Sequence, residues 1–175
     1  LLKNSGFTIK ELQTKIDSEK KSNSIELKTT AGIEINAKFT KEKETMNVVG
    51  LLEGIDTTLK RECVIIGAHL DHVGEQAGEI YFPGANDNAS GSAAVIEIAK
   101  AFVNSGIKPK RSIFFILFSS EEAGLLGAQH YADNPIFPLD KTVAMFNLDC
   151  IGYGDSIRIG NGESAPELFK YAQSN

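Results

Sequence analysis

The chain of 175 residues has no tryptophan, two cysteines and three histidines. Each scarcity excludes something. Two cysteines, Cys63 and Cys150, do not make the dense framework that holds a small disulfide-dependent domain together. The apolar runs are short: Ile113 to Phe118 is among the longest, and a bilayer needs about 20 residues. Basic residues are scattered, with Lys20-Lys21 the nearest thing to a run, and the formal net charge is −5. A nucleic-acid surface needs a clustered basic face, so no nucleic-acid partner is expected. What remains is an ordinary globular composition, 42% hydrophobic and 23% charged, at a length suited to one domain.

Local patterns divide the chain at about Glu62. Before it, Thr8 and Glu11 form a capping-box pattern, and Ile9, Leu12 and Ile16 recur at helical spacing. A helix is predicted from about Ile9 to Glu19. Ile25 and Leu27, then Ile33, Ile35, Ala37 and Phe39, alternate around a turn at Ala31-Gly32. That period predicts antiparallel strands, and MNVVGLLEG predicts one more.

After Glu62 the strands lose their alternation. ECVIIGAH, SIFFILFSS and TVAMFNLD are continuous apolar runs, the pattern of strands buried on both faces. Helical segments separate them: Asn88 to Gly106, then Glu121 to Asn134, stopped by Pro135. A further helix, roughly Pro166 to Ala172, follows a short strand predicted at Ser156–Gly160. The expected class is α/β: a mixed, largely parallel sheet sandwiched by helices, with an antiparallel N-terminal region. In that arrangement Cys63 starts one strand and Cys150 follows the end of another. About six residues at ~3.3 Å each separate the two sheet edges, whereas a disulfide requires Cα atoms within about 7 Å. Both thiols are expected to be free and mostly buried.

Ligands of open α/β sheets bind beyond the carboxyl ends of the strands. His69, Asp71 and His72 follow the first apolar strand, and Asp87 lies in the loop PGANDNASG ahead of the next helix. Ser119, Ser120, Glu121 and Glu122 follow the second strand, and Asp149 the third. Singly, each has an ordinary reading. Asp87 is a plausible helix cap, Asp149 a turn residue, the Glu pair a helix N-terminal charge, and His69 a structural histidine. Together they concentrate negative charge on one sheet edge with no lysine or arginine close behind. Such a cluster needs a cation, and a divalent metal supplies it. His130, eight residues past Glu122, has no partner in this pattern and is read as structural.

AHLDHVG, GANDNASGSAAVIEIAKA, FSSEEAGLLGAQHYA and FNLDCIG, in this order and at these intervals, resemble the aminopeptidase S / aminopeptidase Y type of zinc exopeptidase. The resemblance is strong from Met46 to Gly154. It implies two zinc ions: His69 and Asp149 on the first, Asp87 bridging both, and Glu122 on the second. It makes Glu121 the general base toward a metal-bridging water. Asp71 becomes the residue that holds the His69 ring from behind, since an i, i+2 pair on extended backbone shares one side. It further implies a cis peptide at Asp87-Asn88. Substrates by resemblance are peptides with a free N-terminus, and the location is secreted, periplasmic or surface-anchored. Glutaminyl cyclases and carboxypeptidases share the scaffold, and so do non-catalytic peptidase-like binding domains. Retention of Glu121 speaks against the last.

One feature departs from the pattern. The family's second zinc takes a further histidine from later in the chain, and neither His72 nor His130 matches its position. Residues 1–175 are therefore expected to be part of a peptidase catalytic domain. Residues 1–24 would be a helical lead-in after an inserted protease-associated domain, and a C-terminal portion would follow. Weak or absent activity is expected of this segment alone, with zinc sites incompletely filled.

Overall fold

The computed structural model describes residues 2–27, 29–36, 43–76 and 80–174. The chain forms two units, Leu1–Glu42 and Lys43–Asn175. In the first, helix α1 spans Ile9–Glu19. Its capping box is complete: Thr8 Oγ1 accepts the Glu11 N–H at 3.2 Å, and the Thr8 N–H donates to Glu11 Oε2 at 2.7 Å. The predicted antiparallel strands at Ile25–Leu27 and Ile33–Phe39 do not form within the described residues, which carry no strand there. Alternation alone leaves such a segment without a partner edge, and Ile33 and Ile35 stay exposed. Lys28 and residues 37–39 lie outside the described part.

The second unit is built on a sheet of β1 (Val48–Leu52), β2 (Cys63–His69), β5 (Ser112–Phe118) and β6 (Thr142–Asn147). A small hairpin, β3 (Gly74–Gln76) with β4 (Ile80–Phe82), stands apart from it. The spatial order is β1-β5-β2-β6. β2 runs parallel to both β5 and β6, and β1 lies antiparallel on β5. Helices α2 (Gly91–Ser105), α3 (Leu126–Asp133) and α4 (Pro166–Gln173) complete the unit.

Strand parity explains the layers. Residues i and i+2 share a face. Phe114, Ile116 and Phe118 of β5 join Cys63 and Ile65 of β2 in a core that takes Tyr131 and Ala128 from α3. Phe118 meets Tyr131 edge-on at 6.1 Å. The opposite parity faces α2, where Phe102 and Phe115 lie 6.3 Å apart. Helices thus cover both faces of β2 and β5, which accounts for their unbroken apolar runs. β6 is different. It pairs only with β2 among the described strands, and Val143, Met145 and Phe146 are 50%, 48% and 41% exposed. The expectation that this run is buried on both faces is corrected: α2 packs on β2 and β5 rather than on β6, so the β6 side chains stay partly open to solvent. Ser156–Gly160 forms no strand, because it has no ladder partner among the described residues.

Candidate metal centre

The three parallel strands end on the same side of the sheet, and the connections leaving them carry the polar residues. His69 closes β2 and is 4% exposed. Its Nδ1 lies 3.0 Å from the main-chain oxygen of Asp71. A carbonyl can only accept, so Nδ1 carries a proton, and in the neutral ring Nε2 keeps its lone pair. That Nε2 is 3.2 Å from Asp87 Oδ1 and 3.7 Å from Asp149 Oδ1. In that neutral form, acceptor atoms face one another with no donor between them. They repel unless a cation joins them.

Asp87 sits in the turn Ala85–Ser90 that leads into α2, and the Asp87-Asn88 peptide is cis. The buried Asn88 fixes this turn to the end of β6. Its Nδ2 donates to Leu148 O at 3.0 Å, and its Oδ1 accepts Gly91 N–H at 3.0 Å and Cys150 N–H at 3.4 Å. Ser90 Oγ accepts the Ile151 N–H at 3.1 Å, and Asn86 Oδ1 accepts the Gly152 N–H at 2.8 Å. Gly91 permits the approach, since a Cβ there would collide with Leu148 O and Asn88 Oδ1. The Asp87 turn and Asp149 are thus held at one spacing by four amide contacts from Asn88, Ser90 and Asn86 to residues 150–152 and Leu148. The letters of NDNAS carried this signal only as small polar residues; the sequence reading gave Asn86 and Ser90 no role and named Asn88 only for the cis peptide.

Glu121 and Glu122 begin the turn between β5 and α3. The Asp71 carboxylate accepts both their N–H groups, at 3.0 and 3.2 Å. Here the structure differs from the role expected for Asp71. Its carboxylate is 3.8 Å from His69 Nδ1, and the ring is held by the Asp71 carbonyl instead. The turn's two free N–H groups are the better partners for the acid.

Two donor triads result: His69, Asp87 and Asp149, and His72, Asp87 and Glu122. Asp87 belongs to both. His72 is the residue that sequence reasoning passed over. Its Nδ1 is 2.6 Å from Glu122 Oε1 and 3.7 Å from Asp87 Oδ1. Glu121 is in neither triad; it lines a cavity of about 150 Å³ with His69, Asp149, Phe118, Leu125 and Met145. His130 is on α3 and lines a different cavity, with Met46 and Tyr131.

Residues 47–175 match Peptidase family M28. The chain belongs to this family. An aminopeptidase of Pseudomonas aeruginosa is 38% identical over 127 residues, covering 70% of this chain and 22% of that protein. A leucine aminopeptidase of Trichophyton equinum is 35% identical over 126 residues, covering 70% and 23%. The crystal structure of a zinc aminopeptidase from Bacillus subtilis superimposes with a TM-score of 0.51 at 34% identity, covering 61% of this chain and 24% of that one. The M28 chain spans under a third of the length of the relatives it matches.

Zinc fits the donors of this M28 chain. Imidazole nitrogen and carboxylate oxygen are its usual ligands. Two buried atoms at the junction of the triads, Asp87 Oδ1 and His72 Nδ1, have no hydrogen-bond partner. Buried polar atoms left so are costly unless something else, such as an ion, satisfies them. Both cysteines are free, but Cys150 is exposed, which corrects the expectation of two buried thiols. It follows Asp149 in a left-handed turn, φ 52°, outside the sheet. Partial desolvation, then the Asp149 and Asp87 carboxylates, push its thiol up to about 11.

Proposed function

We propose that this chain is the metal-binding part of an aminopeptidase, which hydrolyses the peptide bond after a free N-terminal residue. The observation that carries the reading is the pair of donor triads sharing Asp87 at the carboxyl end of a parallel sheet. The family, and relatives named as aminopeptidases, support it.

His69, Asp87 and Asp149 would hold one zinc, and Asp87 and Glu122 would take part in holding a second. When bound, zinc supplies Lewis-acid polarisation of the scissile carbonyl and eases deprotonation of water. The chain supplies the rest. Glu121 is the base: its carboxylate accepts a proton as water oxygen bonds to the carbonyl carbon. It returns that proton to the departing amine nitrogen as the C–N bond breaks. Asp71 is a positioning residue, holding the main chain of Glu121 and Glu122 so that neighbouring carboxylates serve different tasks. The Asp71 carbonyl fixes the His69 tautomer.

No described helix is long and apolar enough to cross a membrane. A secreted, periplasmic or surface-anchored location, and a lead-in role for residues 1–24 after an inserted domain, belong to the same proposal. Fractionation of the native host and the sequence flanking this chain test them.

The deciding experiment uses the full-length protein with aminoacyl p-nitroanilides and short peptides. Zinc-dependent release of N-terminal amino acid is expected. Glu121→Gln should lower kcat by about 10²- to 10⁴-fold while zinc binding is kept. Release from the carboxyl end, or a pyroglutamyl product, would transfer the chain to another chemistry of the scaffold. Zinc binding with no turnover of any of these would make it a binding domain.

A further inference from the structure

We propose that Asn47, the residue just ahead of β1, is a positioning residue for the base Glu121. It closes the neck of the loop that carries both glutamates. The inference rests on the aminopeptidase reading with Glu121 as base, and deepens it.

β1 runs antiparallel to β5, with Val48 opposite Leu117. The start of β1 therefore lies at the edge where the parallel strands end, and Asn47 comes beside the exit of β5. Its amide spans the two ends of the loop 119–127. Oδ1 accepts the Ser119 N–H at 3.0 Å, and Nδ2 donates to the Gly127 carbonyl at 2.8 Å. The ends also meet each other. The Gly127 N–H donates to Ser119 O at 2.9 Å, and the Leu126 N–H to Ser120 O at 3.0 Å. Thr45 Oγ1 adds a hydroxyl contact to Ser119 Oγ at 2.5 Å. The neck leaves no spare room: Gly127 is buried, and a Cβ there would collide with Ser119 O and Asn47 Oδ1.

The loop needs such a closure. Ser120 and Leu125, on either side of the glutamates, hold left-handed backbone at φ 55° and 61°. Residues other than glycine keep that conformation where surrounding contacts impose it. The Glu121 side chain has no hydrogen bond or ion pair among the described residues, so its carboxylate goes where the main chain sends it. Asp71 holds the Glu121 and Glu122 amides from the β2 side, and Asn47 holds the neck from the β1 side. A side-chain amide suits that neck because it offers an acceptor to one main-chain group and a donor to the other.

Kinetics of the full-length protein on an aminoacyl p-nitroanilide test this. Asn47→Ala should lower kcat by about tenfold or more and change KM by less than about twofold, since misplacing a reacting group by about 1 Å can cost 10²-fold. In the Glu121→Gln background the same change should cost about twofold or less, because the group it positions is already gone. Equal losses in the two backgrounds, an effect on KM alone, or a lowered Tm with kcat intact overturn the inference and leave the aminopeptidase reading standing. Glu121→Gln turning over as fast as wild type overturns both. Should Asn47→Ala not fold, Asn47→Asp gives the same comparison, since it keeps the acceptor for Ser119 and loses the donor to Gly127. Amide hydrogen exchange on the wild type needs no variant. The Ser119 N–H, bonded to the Asn47 side chain, should exchange as slowly as the amides of β5. Exchange of Ser119 at the rate of an open loop overturns the inference.

Discussion

The Asp71 carboxylate accepts the main-chain N–H of Glu121 at 3.0 Å, joining the connection after β2 to the connection after β5. Its second oxygen does the same for Glu122 at 3.2 Å. One side chain therefore sets the start of the turn from which both glutamates project.

Asp71→Ala should leave that turn unpinned. Removing an outer partner of metal ligands commonly lowers affinity or activity by about 10- to 100-fold. The expected loss is in kcat, with KM changed less. Asp71→Asn keeps one acceptor oxygen and should recover part of the rate. Steady-state kinetics of the two variants checks this, and equal rates for Ala and Asn would remove the hydrogen-bond account.

Asn88 is 2% exposed and its amide serves three main-chain partners. Asn88→Ala leaves the Leu148 carbonyl and two N–H groups without it, at about 1–3 kcal/mol for each buried group left unsatisfied. A lowered Tm is expected even in metal-free protein. Zinc affinity should fall as well, because Asp87 and Asp149 lose their common spacing. A fall in Tm with intact zinc affinity would confine Asn88 to a structural part.

Asp87 is common to both triads. Asp87→Ala should therefore lower zinc binding from two equivalents to at most one, whereas Asp149→Ala should weaken one alone. Metal analysis after dialysis distinguishes them. Equal stoichiometry in the two variants would mean that Asp87 does not bridge.

The thiols should separate by reactivity. Cys63 is buried and its pKa is raised by desolvation, so iodoacetamide should not reach it in the folded protein. Cys150 is exposed, with its thiol pushed up to about 11. The thiolate is the reactive form, so in metal-free protein its labelling should be slow at pH 7. The rate should climb about tenfold per pH unit until the pH nears that value. A rate already flat above pH 9 would contradict the proximity of Asp149 and Asp87.

Much of the fold was legible because its signals are local. The Thr8–Glu11 box places α1, and the apolar runs at Cys63–His69 and Ser112–Phe118 declare strands covered on both faces. Alternation at Ile25–Phe39 misled, since period two shows what a strand's face would be and not whether a neighbouring strand exists. Parallel-strand logic also delivered the site's neighbourhood. Any residue just past an apolar run in such a sheet faces the same edge, so His69, Glu121, Glu122 and Asp149 were collected by position, and Asp87 from the loop ahead of the next helix.

Side-chain direction was not legible in the same way. Asp71 was expected behind the His69 ring, yet its carbonyl holds the ring and its carboxylate turns to the Glu121 and Glu122 amides. His72 follows Asp71 directly and lacked a partner at any sequence spacing. It reaches Glu122 only because β5 pairs beside β2 and the Gly84 turn backs the ring. The sequence by itself determined which residue types collect on one sheet edge, through strand length and burial. Which of their atoms converge on a shared point was decided by tertiary structure, because backbone turns and contacts fifty residues apart set those last few ångströms.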